Sequence, residues 1–402
     1  MDKHYLGIDV LTAARQRIAK VFADFPRVYA SFSGGKDSSA MLHLIAEEAR
    51  RSNRKFGCLF IDWEAQFKLT ISHVEELIDK YADVIEPHWV TAQLKTTNAC
   101  SMHEPEWICW DEDKRDFWVR QKPSRPAICE SDLPFYKRGM TFEEFCPAFG
   151  NWYSQGKLCA AFIGIRTQES LNRWRSITRK KTTYEGNQWT TWMTKTLYNA
   201  YPIYDWTTED IWRANAKFGW EYNRLYDRMH QAGLSIHQMR ICEPYGDEQR
   251  KGLWLYHLIE PETWSKVVNR VAGTTSASLY AAESGNILGN RKIFLPQGHT
   301  WSSYARFILD SMPSKTAEHY RCKIHRYIAY CINHYGMADG IPEEQPGDTG
   351  GKDIPSWRRV CRCLLKNDYW CKSLSFSPTQ TETYQRYLKN MKSKRSTWDL
   401  IG

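Results

Sequence analysis

No run of about 18 apolar residues occurs in this 402-residue chain, so the sequence holds no candidate membrane span. The opening stretch, MDKHYLGIDVLTAARQRIAK, has neither the apolar core nor the small-residue cleavage site of a secretory signal. A cytoplasmic protein is the expectation. Internal repeats and low-complexity tracts are also missing. Neither sign of charge dominates: 55 Lys and Arg stand against 46 Asp and Glu, a net +9 that suits anionic partners without choosing among them. The twelve Cys are scattered through a chain too long to need disulfide staples, and reduced thiols are expected.

Hydrophobic residues at 42% and charged residues at 25% give a globular composition. The first half alternates short apolar runs with amphipathic stretches, as βαβ units do. Residues 9–24 read as a helix, Arg27–Phe32 as a strand, and a second helix starts near Ser38. Phe56–Ile61 reads as a buried strand, 67–82 as a helix and Asp83–Val90 as a third strand. Residues 91–155, with weaker periodicity and frequent Pro, Trp and Cys, read as an irregular insertion over the sheet edge. Leu158–Ile165 restores a continuous apolar strand. Thr207 or Thr208 caps a helix to about Lys217. Beyond about 240 the segments 247–258, 261–272, 299–312 and 316–334 read as helices, 347–353 as a loop and 384–398 as a basic tail. The expected division is an α/β domain over 1–235 and a mainly helical region over 236–402.

The strongest signal is Ser33-Gly34-Gly35-Lys36-Asp37-Ser38, between an apolar strand and an amphipathic helix. Glycines let the backbone turn tightly enough for its N–H groups to face phosphate oxygens, and the helix start adds unpaired donors and the positive dipole end. Lys36 supplies a point charge, and the Ser33 and Ser38 hydroxyls can donate hydrogen bonds. Asp37 needs a cation beside phosphates, and its natural role there is to help hold Mg²⁺. The spacing is not that of a Walker A loop.

This loop resembles the PP-loop of the adenine nucleotide α-hydrolase-like superfamily, which includes phosphoadenosine-phosphosulfate (PAPS) reductases, DndC-type proteins and several ATP pyrophosphatases. Three further stretches follow in family order. Asp62, in Phe60–Glu64, stands where the family has an acidic residue beside the nucleotide. Gly164-Ile165-Arg166-Thr167-Gln168-Glu169-Ser170, then Asn172-Arg173, resembles the G-x-R-x-x-E-S motif of the PAPS reductase branch. Tyr201–Thr207, running into Trp212, resembles its P-x-x-D-W-T element. Arg166 and Arg173, seven apart, fall on roughly one helical face, where both can fork to anionic oxygens, and Glu169 can orient Arg166.

The resemblance implies a Rossmann-like parallel sheet flanked by helices, ATP and Mg²⁺ as cofactors, and a nucleotide site of Ser33, Gly34, Gly35, Lys36, Asp37, Ser38, Asp62, Gly164, Arg166 and Glu169. Lys36, Asp37, Arg166 and Arg173 would carry the chemistry, and Asp37 with Asp62 the metal. Reductive members use a C-terminal E-C-G-x-H motif, which is missing; Cys242 sits in Arg240-Ile241-Cys242-Glu243-Pro244 instead. With no CC pair and no C-x-x-C, the paired cysteines of iron–sulfur members are missing too, so PAPS reduction is not expected. Cys322, His325, Cys331 and His334 look like zinc ligands, but on one helix they point at roughly 0°, 300°, 180° and 120° and cannot meet. Cys361, Cys363 and Cys371 form a looser cluster for which an iron–sulfur or zinc site is not favoured.

The overall pattern is similar to a bacterial and phage subfamily that includes the immunoglobulin-binding regulator A proteins, co-activators of prophage genes. That likeness implies a ParB/sulfiredoxin-like partner. The expected activity is ATP cleavage between the α- and β-phosphates, with adenylylation of an acceptor. The alternatives are sulfur transfer to nucleic acid, with Cys242 as the thiol, and a regulator that binds ATP without turnover. A plain nucleic-acid-binding co-activator is the third. Basic residues interleaved with aromatics, Arg173 to Lys181 with Trp174 and the 384–398 tail, leave nucleic-acid binding open.

Overall fold

The computed structural model describes residues 7–101, 104, 106–178, 182–246, 252–271, 273–274, 293–312, 314–337, 339–348, 354–366, 368 and 371–374. The 384–398 tail and residues 349–353 of the 347–353 loop lie outside the described residues.

Helix α1 (Val10–Asp24) is capped by Asp9, whose carboxylate accepts from the N–H groups of Leu11 and Thr12. Strand β1 (Arg27–Ser31) leads through the glycine loop into α2 (Lys36–Arg51), followed by β2 (Phe56–Ile61), α3 (Lys68–Lys80) and β3 (Ile85–Val90). The chain then crosses back. After the insertion, β6 (Cys159–Ile163) pairs with the other side of β1, giving the order β3-β2-β1-β6-β8-β7. Strand β8 (Leu197–Ala200) runs parallel to β6, while β7 (Thr190–Trp192) closes the edge antiparallel. This is the expected α/β sheet.

Strands β1, β2 and β6 are buried on both faces, which is why they read as continuous apolar runs. Val28 and Ala30 of β1 and Ala160 and Phe162 of β6 enter a core shared with α1 and α2. Tyr29, Cys159 and Ala161 enter the opposite core, which the insertion covers.

That insertion is more ordered than its sequence suggests. It contains the hairpin β4 (Lys95–Thr97) and β5 (Glu106–Ile108), then α4 (Phe142–Ser154). Thr141 caps α4: its hydroxyl accepts from the Glu144 N–H, and the Glu144 carboxylate accepts from the Thr141 N–H. Short α5 (Leu171–Thr178) follows β6, and α6 (Thr208–Phe218) starts on Thr207, which forms the same reciprocal cap with Asp210. Next come α7 (Leu225–Gln231), α8 (Leu253–Ile259) and α9 (Pro261–Arg270).

Leu253, Leu255, Tyr256, Val267 and Val271 pack in the same core as the insertion and the sheet. The expected boundary near 235 therefore falls inside a segment that packs on the α/β layer. A separate core begins with α10 (Trp301–Asp310), α11 (Ser314–Tyr335) and α12 (Trp357–Leu365), built on Ile308, Tyr320, Ile324 and Val360. Cys331, Cys361, Cys363 and Cys371 are buried there, whereas Cys322 is exposed. Among the described residues no three Cys, His, Asp or Glu are arranged to hold a metal. No described helix is long and apolar enough to cross a membrane.

Candidate functional site

Strands β1 and β6 are neighbours whose onward connections leave in opposite directions, so a crevice opens beyond their carboxyl ends, where open α/β sheets bind ligands. Their last paired residues are Ser31 and Ile163. From there one chain becomes the glycine loop and the other Gly164–Arg166. A cleft of about 440 Å³ lies between them, within the range of small-molecule sites. Ser33, Gly35, Lys36, Asp37, Ser38, Gly164, Arg166, Glu169 and Arg173 all line it.

The loop is shaped by backbone geometry. Gly34 has φ +72°, and a Cβ there would lie 2.9 Å from Thr70 Cγ2 and 3.0 Å from Val74 Cγ2, so only glycine fits. Gly35 precedes α2 in extended conformation and offers no side-chain cap. Of the first N–H groups of α2, that of Lys36 donates to Tyr226 Oη at 3.0 Å. Those of Asp37 and Ser38 have no helical partner and are left for an anion. A Cβ on Gly164 would sit 3.0 Å from Ser38 Cα and 3.2 Å from its nitrogen, crowding that donor. The serine hydroxyls mainly hold the loop: Ser38 Oγ donates to Gly35 O at 3.0 Å and lies 3.0 Å from Ser33 Oγ.

Charge is arranged around Asp37. One oxygen receives Arg166 Nε at 2.5 Å and the other lies 3.2 Å from Lys36 Nζ. Arg166 is buried, and its remaining donors go to Gln168 Oε1, the Trp206 carbonyl and Thr208 Oγ1 at 3.3–3.4 Å. The guanidinium thus joins the loop to the start of α6; it is a brace more than a free cation. Arg173 differs: its side chain is half exposed and, among the described residues, held by Glu169 alone at 3.5 Å. Burial, and then the nearby Asp37 carboxylate, push the Glu169 carboxyl up from its usual value.

Asp62 is not brought to this cleft. It is fully buried, receives Trp89 Nε1 at 2.8 Å and the Glu64 N–H at 3.0 Å, and pairs with Arg120. The expected Asp37–Asp62 metal pair therefore does not assemble. The acids of Asp62-Trp63-Glu64 fasten the insertion instead. Glu64, also fully buried, accepts from the N–H groups of Trp110 and Val119 and pairs twice with Arg270 of α9, at 2.7 and 3.0 Å. In the P-x-x-D-W-T stretch, Asp205 receives a bidentate Arg17 at 2.8 and 2.7 Å, so its carboxylate too is structural.

Sequence reasoning named Cys242 as a candidate thiol but missed that its segment roofs the loop. His237, Met239, Arg240, Ile241 and Cys242 line the cleft. The Met239 carbonyl accepts from Lys36 Nζ at 3.4 Å, and Arg240 donates to the Glu169 carbonyl at 2.7 Å. Asn223 and Tyr226 were missed as well. Asn223 Nδ2 donates to the Gly34 carbonyl and to Thr70 Oγ1, both at 3.0 Å. No motif marks these residues; the short aromatic stretch before α7 was the only available signal.

Residues 27–233 match the model of the phosphoadenosine phosphosulfate reductase domain, about half the chain. The chain belongs to that family. Residues 233–344 and 342–385 match a domain of unknown function, DUF3440. A family relative from Escherichia coli K12, named uncharacterized protein YbdN, is 48% identical over 403 residues, covering 98% of this chain and 97% of the relative. Among solved structures, a Candida glabrata FMN adenylyltransferase with FAD and inorganic pyrophosphate aligns at TM-score 0.33 and 16% identity, over 54% of this chain and 58% of its own. A phosphoadenylyl-sulfate reductase from Candida auris aligns at 0.30 and 12%, over 58% and 89%. At such scores neither structure adds to what the family match establishes.

Proposed function

We propose that this member of the family binds ATP in the cleft and cleaves it between the α- and β-phosphates. One observation carries the reading: the uncapped start of α2, Lys36 and Arg173 face a single cleft at the point where β1 and β6 part. The β- and γ-phosphates lie on the Asp37 and Ser38 N–H groups, with Lys36 turned toward them from the Met239 carbonyl. An acceptor oxygen attacks the α-phosphorus, the bond from that phosphorus to the α–β bridging oxygen breaks, and pyrophosphate leaves. Arg173 stabilises charge on the α-phosphate, while Arg166 positions Asp37. Such chemistry is mostly placement and electrostatics and needs no protein nucleophile.

Mg²⁺ ordinarily reaches such sites on the nucleotide's own phosphates with one or two carboxylates. Here both Asp37 oxygens face cations and Asp62 is committed elsewhere, so the residues do not fit a two-carboxylate site.

Product analysis with α- and γ-labelled ATP tests the reading, comparing wild type with Lys36→Ala and Asp37→Ala. AMP, free or attached, and pyrophosphate are expected from wild type and neither variant. ADP and phosphate, or binding without turnover, would overturn cleavage and leave the regulator. A ParB/sulfiredoxin-like partner and single-stranded nucleic acid are the acceptors to add, the latter because Arg173, Trp174 and Arg175 lie exposed on α5. A second reading, sulfur transfer, is favoured by one feature: Cys242 lines the same cleft. In that case Cys242→Ser would keep pyrophosphate release and lose the sulfur-bearing product.

A further inference from the structure

The Lys36 N–H is the first backbone donor of α2 and would ordinarily be free for an anion. Here it is taken by a side chain from α7. Tyr226 Oη accepts from it at 3.0 Å, and the phenol ring lies 5.4 Å from Lys36 Nζ. Tyr226 is buried, yet it lines the cleft. Its ring is fixed edge-on against Trp212, centroids 5.5 Å apart. Asn223, three residues earlier, holds the same loop from the other side through the Gly34 carbonyl. The pair Asn223 and Tyr226 therefore brackets the glycine loop at Gly34 and Lys36.

The hydroxyl accepts one hydrogen bond, from Lys36, and its own proton meets no acceptor among the described residues. Burial first, and then the Asp37 carboxylate, hold the phenol far above its usual titration range, so it keeps that proton at every working pH. A buried O–H that cannot ionise, facing a cleft floored by two further N–H donors, lacks only an oxyanion.

We infer that Tyr226 is a phosphate-binding residue of the nucleotide site: its hydroxyl keeps the Lys36 N–H and donates its proton to an oxygen of the departing pyrophosphate group. The helix's first backbone donor then acts on the ligand through the phenol, which extends the anion site beyond the main chain. This rests on the reading of the cleft as an ATP site. Hydrogen bonds to charged groups are the strong ones, so losing this one costs the ligands that carry a pyrophosphate group selectively.

Tyr226→Phe removes the hydroxyl and keeps the ring against Trp212. Isothermal titration of wild type and variant with inorganic pyrophosphate, ATP and AMP is the test, with thermal melts of both unliganded proteins. Affinity for pyrophosphate and ATP is expected to fall about tenfold, with AMP and the melting temperature nearly unchanged. Equal pyrophosphate affinity in the two proteins would overturn the inference alone. Tighter binding in the variant would also overturn it, since the hydroxyl would then be competing for the Lys36 donor. Loss of affinity for all three ligands together with a lowered melting temperature would mark a purely structural tyrosine. Wild type that binds neither ATP nor pyrophosphate would instead remove the nucleotide reading itself.

Discussion

Two arginines that look equivalent in the motif do different work. Arg166 is buried and every arm of its guanidinium is engaged, whereas Arg173 is half exposed beside Glu169. Replacing Arg166 with Met should cost about 2–4 kcal/mol in urea unfolding, because the partly buried Asp37 is left with Lys36 alone to answer it. Arg173→Ala should shift stability by less than about 0.5 kcal/mol while weakening ATP binding, read by titration. If both variants lose stability alike, the division of labour is wrong. The sequence announced the loop because a phosphate cradle needs its residues contiguous. It could not separate the two arginines, since their burial depends on α6 arriving from 40 residues downstream. Nor could it show that Asp62 turns inward, because its partners Trp89 and Arg120 come from β3 and the insertion.

At the scale of elements, helices α2 and α3 are joined by His43, whose Nε2–H donates to the Glu221 carbonyl at 2.8 Å while Nδ1 accepts from Tyr81 at 2.5 Å. Burial lowers the titration of His43 to about 4, and that of His73 to about 4 likewise. The unfolded chain binds these protons near the ordinary value of about 6.5 and so holds more of them between pH 4 and 6.5. Stability is therefore full above about pH 6.5 and falls as the solution is acidified through that window. Urea midpoints at pH 7.5 and 5.5 should show the drop, and His43→Gln should shrink it. Strands β1, β2 and β6 were legible because a strand buried on both faces must be apolar throughout. Helix α4 was not, although Thr141 and Glu144 are spaced as a reciprocal cap. The surrounding Pro, Trp and Cys disguised it.

At the scale of the whole molecule, the family match to the nucleotide-binding half ends at 233, but the packing does not. Arg270 of α9 neutralises Glu64, and Tyr256 donates to the Ala65 carbonyl at 2.9 Å. A chain cut after residue 233 would leave Glu64 buried and unpaired and strip one wall from the insertion's core. It should bind a hydrophobic dye and melt without cooperativity, while a chain cut after residue 274 should melt sharply; similar melting of the two would refute the coupling. Arg270→Met in the full chain should cost about 3–5 kcal/mol.

The closeness of Gly164 to Ser38 has a further consequence. With 3.0 Å between a would-be methyl group and a backbone carbon, the two segments form a lock with a single key. Anyone transplanting the 33–38 loop from a relative would have to carry the 164 region along with it. Chimaeras that exchange one without the other should fail, even where every exchanged residue is acceptable by itself.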